Sequence, residues 1–159
     1  MISPAFFQAL KIIIERLEDS EIPWALTGSV NFALQGITIT PNDIDLQCNQ
    51  ADIHALAEYF DNYATTPVDL KISEKIRSYF GQFEIEGVVV EIMAGMQKKD
   101  SAGNWLPPVD ITQHRIFINT QGVEFPVLNL AYERDSYAAM DRIEKANRLA
   151  EWLHQQEEG

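Results

Sequence analysis

A single cysteine, Cys48, stands among the 159 residues. That excludes an internal disulfide and any cysteine-built zinc or iron–sulfur cage, and a reducing, cytoplasmic home fits such usage. Basic residues are scarce as well: twelve Lys and Arg face twenty-four Asp and Glu, for a net charge of -12. The sign is wrong for gripping a polyphosphate backbone, which disfavours a large nucleic acid as the main partner. Apolar runs never reach bilayer-spanning length. The N-terminal stretch, interrupted by Lys11, Glu15 and Arg16, has neither a basic leader nor a small-residue cleavage site. No membrane partner is expected. Only eight Gly and seven Pro occur while 46% of the residues are hydrophobic, which excludes a low-complexity or collagen-like chain. What remains is one globular domain over residues 1–159, without repeats or an internal boundary.

Ser3-Pro4, followed by Phe6, Leu10, Ile13, Ile14 and Leu17 at helical spacing, predicts a helix packed by one stripe on the core. Ile22 to Thr27 reads as a buried strand ending at Gly28, after which Ser29 can cap a helix that stops at Gly36. Pro41-Asn42 resets the backbone before a strand over Asp43 to Gln47. A helix from Ala51 to Tyr59 and a strand from Val68 to Ile72 come next. Two antiparallel strands between Arg77 and Met93 then turn at Glu86-Gly87, the second of them interior. A long loop separates these from a hairpin made by Arg115 to Ile118 and Val123 to Val127. Asn129 caps one helix to about Gln155, with Tyr137, Met140, Ile143, Leu149 and Leu153 as apolar positions. Strands and helices intermix, so the expected class is α/β or α+β: a small mixed sheet flanked by helices, with a motif core at about 22–94 and a C-terminal helical segment.

Three signals carry chemistry. Asp43 and Asp45 project from one face of a strand, about 6.6 Å apart at the backbone, while Ile44 and Leu46 face the other way. Two such carboxylates, without His or Cys, suit Mg²⁺; the alternative reading is a solvated strand end. Glu91 interrupts the run Val88-Val89-Val90-Glu91-Ile92 and is costly to bury unless a cation or donors meet it, although on an exposed face it would simply meet water. Beside Asp45 it becomes a candidate general base. Gly28-Ser29 offers close backbone approach and free N–H groups to a phosphate, or is a plain turn and cap. His54, His114 and His154 lack zinc-site spacing, and P-loop, dinucleotide-binding and Gly-x-Ser-x-Gly motifs are missing.

Leu26-Thr27-Gly28-Ser29, thirteen further residues, Asp43-Ile44-Asp45-Leu46 and finally Val90-Glu91-Ile92 together resemble the motif set of the nucleotidyltransferase superfamily. That superfamily includes DNA polymerase beta and the small antibiotic nucleotidyltransferases, and the order of elements beyond the motifs is similar to the short lincosamide enzymes. Thr27 departs from the pattern, standing where an apolar residue is more usual. The resemblance implies Mg²⁺-dependent transfer of a nucleoside monophosphate from an NTP to a hydroxyl of a small-molecule acceptor, releasing pyrophosphate. It implies Asp43, Asp45 and Glu91 as the catalytic, metal-binding acids, two Mg²⁺ ions among them, and Gly28 and Ser29 on the phosphates. Lys145, flanked by Arg142 and Arg148, resembles a nucleotide-binding lysine of related minimal enzymes; on a solvated helix face it would instead pair with Asp141. The negative charge would draw a cationic acceptor, and analogy implies a homodimer sharing its cleft. The alternative is a nucleotidyltransferase-like interaction or regulatory module, such as one half of a two-protein system, with a protein acceptor or little turnover. A metal-dependent phosphohydrolase would bring His ligands that these motifs lack.

Overall fold

The structure, a computed structural model, describes residues 2–139 and 142–158. The Ser3 hydroxyl accepts the Phe6 N–H at 3.2 Å and Pro4 takes the first helical position, so α1 (Pro4–Leu17) begins where the sequence predicts. Then follow β1 (Trp24–Thr27), α2 (Gly28–Leu34), β2 (Ile44–Cys48) and α3 (Ile53–Glu58). Three long strands come next, β3 (Ala64–Ile72), β4 (Ile76–Ile85) and β5 (Val88–Lys98). The hairpin β6 (Arg115–Thr120) and β7 (Val123–Leu128) leads into α4 (Leu130–Ala139) and α5 (Ile143–Glu158).

Seven strands form one mixed sheet in the order β3-β4-β5-β2-β1-β7-β6. β2 runs parallel to β5 and β1 parallel to β7, and the other neighbours are antiparallel. β5 is interior, as its run of valines predicts. Ile44 and Leu46 of β2 and Val90 and Ile92 of β5 join Leu10 and Ile13 of α1 and Ile53 and Leu56 of α3 in the main core. Because strand side chains alternate, Asp45 and Gln47 of β2 and Glu91 and Met93 of β5 face the opposite side, where they line a cavity. A smaller apolar cluster on that side joins Phe32 of α2, Leu130 of α4 and Leu149 of α5, with Tyr137 and Trp152 against it.

Several boundaries differ from the sequence expectation. Asp43 sits in a bend just before β2, which starts at Ile44. β3 begins at Ala64 rather than Val68, and its exposed edge shows little of the burial that makes a strand legible. The single C-terminal helix is two helices. A straight helix from Leu130 to Gln155 would run about 39 Å and carry its last turns away from the sheet. Instead α5 folds back so that Leu149 and Trp152 cover Phe32, and the Arg142 N–H donates to the Tyr137 carbonyl at 2.8 Å where α4 ends. Met140 and Asp141 lie outside the described residues.

Candidate active site

The sheet register assembles the acids. Asp45 lies opposite Thr27 on one side and opposite Glu91 on the other, and Asp43 reaches the pair from the bend ahead of β2. Carboxylate oxygens of Asp43, Asp45 and Glu91 all lie within 4.8 Å of one another, each residue half-buried. Burial pushes the Asp45 carboxyl up to about 8, with the charge of Asp43, a hydrogen bond and charge from Glu91, and the charge of Glu133 adding to it. The cluster therefore favours a proton, or a cation in its place, near neutrality. A hard divalent cation with a preference for oxygen would relieve the repulsion, and the all-carboxylate donor set fits Mg²⁺ better than zinc.

Gly28 belongs to this cluster through space as well as sequence. Its φ is +69°, a conformation that a side chain resists, and a Cβ there would stand 2.5 Å from Asp45 Oδ2. The turn is pressed onto the carboxylate. Ser29 is not the helix cap: α2 already begins at Gly28, and Thr27 holds the capping position. The Thr27 hydroxyl is drawn instead to Glu133, so it offers α2 no side-chain cap. Ser29 is left half-buried, lining the cavity.

Sequence reasoning missed Glu133. This α4 carboxylate is 3% exposed. It accepts hydrogen bonds from the Thr27 hydroxyl, from the Gly28 N–H at 3.0 Å and from the Asn31 amide. Burial pushes its carboxyl up to about 7, against the pull of those three donors. An acid in an amphipathic helix ordinarily reads as solvated, and the departing signal is weak: Leu130 and Glu133 share one helical face. Gln47 was passed over too, although it continues the two-residue period of Asp43 and Asp45 on the strand face that lines the cavity.

The cavity has a volume of about 490 Å³. The acids, the Gly28-Ser29 turn and Glu133 lie along it, while Ile37, Ile39, Met93 and Met96 give apolar surface. Met96 joins Glu91 and Met93 because the pairing of β4 with β5 shifts register between Arg77 and Tyr79, which re-aims the end of β5. Arg142, Lys145 and Arg148 line the same cavity from the α5 side. The Lys145 ammonium lies 5.4 Å from the centre of the Tyr137 ring, another lining residue.

A family model described as aminoglycoside-2''-adenylyltransferase matches residues 9–149. The chain belongs to this family. A Thermotoga maritima protein described as a candidate nucleotidyltransferase is 37% identical, with 98% of this chain and 96% of that one covered and a TM-score of 0.85. Two more distant structures share the fold. One is the lincosamide antibiotic adenylyltransferase LnuA in lincomycin-bound form, 11% identical, with 83% of this chain and 84% of that one covered and a TM-score of 0.53. The other is ANT(2'')-Ia in complex with adenylyl-2''-tobramycin, 10% identical, with 94% and 90% covered and a TM-score of 0.57. Among curated proteins, none matches significantly. Family membership and the acid cluster together make this a nucleotidyltransferase-like site on a mixed α/β fold. Among the described residues no helix is long and apolar enough to cross a membrane.

Proposed function

We propose that the protein is a Mg²⁺-dependent nucleotidyltransferase that moves a nucleoside monophosphate from an NTP to a hydroxyl of a small-molecule acceptor. One observation carries the reading: three carboxylates gathered within 4.8 Å line a single cavity together with three basic residues. Mg²⁺ held by Asp43, Asp45 and Glu91, as two ions in the full reaction, supplies charge neutralisation and polarisation at the phosphates. The acceptor oxygen attacks the α-phosphorus, the new P–O bond forms as the bond to pyrophosphate breaks, and Glu91 takes the hydroxyl proton. Gly28, lacking a side chain, leaves the turn open to the phosphates, and Ser29 contacts them. Arg142, Lys145 and Arg148 offset the charge of the leaving pyrophosphate.

The family description names an aminoglycoside, a polycationic class that an acidic protein would attract over distance. Once three carboxylates hold metal and Glu133 is occupied by its donors, however, no carboxylate is left among the described lining residues to pair with an ammonium group. A cationic acceptor would thus be held by hydroxyl and apolar contacts or by a second copy closing the cleft of a homodimer. Sedimentation of the active enzyme as a monomer would remove the dimer.

Pyrophosphate release is the assay, with each NTP against neutral and cationic hydroxylated acceptors. Asp43→Asn and Asp45→Asn should each lower turnover at least about a thousandfold, as expected when charge-stabilising groups are removed. If both variants remain active, the site is elsewhere. Triphosphate binding without pyrophosphate release for any acceptor would favour the regulatory module.

A further inference from the structure

We infer that Glu133 is a positioning residue for the nucleotide: from α4 it fixes the Gly28-Ser29 turn against Asp45. The inference rests on the transfer reaction proposed above and deepens it. A helix that needed only to cover the sheet would place an apolar side chain at this buried position, since an acid there must be met by donors. Three are supplied, and both oxygens are used: Oε1 accepts from the Thr27 hydroxyl and the Gly28 N–H, Oε2 from the Asn31 amide.

Asn31 cannot turn over to suit another partner. Its Nδ2 also donates to the Leu128 carbonyl at 2.8 Å, and its Oδ1 accepts from Gln35 Nε2 at 2.7 Å. Gln35 Nε2 reaches the same carbonyl at 3.2 Å, which fixes its own amide. The position facing Asn31 therefore calls for an acceptor, and an amide in place of the carboxylate would set one NH₂ against another.

Two consequences follow for the nucleotide. The Gly28 N–H is engaged by Glu133, so the turn meets phosphate through Ser29. In addition, the space between Gly28 and Asp45 Oδ2 has no room for even a Cβ, so a shift of the turn toward that carboxylate would displace it. Glu133 thus ties the metal-binding sheet to α4, the helix whose Tyr137 supports Lys145. It need touch neither metal nor nucleotide.

The test is calorimetric titration of the full chain with a non-hydrolysable triphosphate in Mg²⁺, alongside thermal unfolding, for the wild type, Glu133→Gln and Thr27→Val. Glu133→Gln should fold but unfold somewhat below the wild-type temperature, because an NH₂ then faces the Asn31 amide. Its triphosphate Kd should also rise about tenfold or more as the mispaired turn shifts beside Asp45, the scale of one mispaired buried hydrogen bond. Thr27→Val, which removes one donor, should raise Kd about three- to fivefold by the same reasoning. A purely structural role would lower the unfolding temperature and leave the Kd of the folded protein unchanged. Folded variants that bind as tightly as the wild type overturn the inference alone; should Glu133→Gln not fold, Thr27→Val decides. A wild type that does not bind the triphosphate overturns the transfer reaction, and this inference with it.

Discussion

Gly28 and Asp45 constrain each other so closely that the smallest substitution is informative. Gly28→Ala places a methyl group in the left-handed region and against Asp45 Oδ2, and should cost roughly 2–4 kcal/mol from strain and overpacking together. Denaturant unfolding measures that cost. Asp45 also gives the protein a pH dependence. Its carboxyl is raised from 3.8 to about 8, so between those values the folded chain holds a proton that the unfolded chain has released. The stability this contributes is complete below the unfolded value and disappears as pH rises through the folded one. Glu133, raised from 4.5 to about 7, acts in the same direction. With metal chelated, the unfolding temperature should fall from pH 5 to pH 8, and Asp45→Asn should flatten the fall. Added Mg²⁺ should stabilise more at pH 8 than at pH 5. No change of unfolding temperature with pH in the chelated wild type would contradict the burial of these acids. Asp45 and Glu91 were legible in the sequence because an acid stands out inside an apolar strand. Glu133 was not, because its neighbours in sequence are those of any solvated helix and only the turn beneath it shows its role.

α5 carries two of the three basic residues and is held by a small apolar contact, so packing and binding should fail together there. Leu149→Ala, at a position 3% exposed, should cost roughly 2–4 kcal/mol and weaken triphosphate binding by loosening Lys145 and Arg148. Lys145→Ala should leave unfolding nearly unchanged and raise the KM for NTP about three- to tenfold, as follows from an exposed cation if it takes the proposed place on the phosphates. Steady-state kinetics separates the two. The break leaves only a faint trace in the sequence: apolar residues continue on both sides of it, but Leu149 follows Tyr137 by a step about 120° out of phase with a single continuous helix. The strands were easier to read where they are buried. β5 is plain from its valines, whereas the exposed first half of β3 carries no alternation of polar and apolar residues.

For the molecule as a whole, the sheet order brings Glu91 beside Asp45, and the sheet order itself was not legible. Sequence supplied the elements and a mixed sheet, but that β2 would lie between β1 and β5 depends on packing of α1 and α3 beneath them. Cys48 reports on that packing. It is 1% exposed and its thiol is pushed up to about 12 by burial and, secondarily, by Asp52, so thiol reagents at pH 8 should label it only through global unfolding. Labelling at the rate of a free thiol would mean that the strand opens locally. The parallel pairing of Asp45 with Glu91 joins segments separated by a helix and two strands. Closing so large a loop is slow, and nothing in the local chain can imitate the result. During refolding, cation affinity should therefore arrive with the final kinetic phase, after helical signal has recovered, which would make the proposed Mg²⁺ a passenger of folding rather than its nucleus.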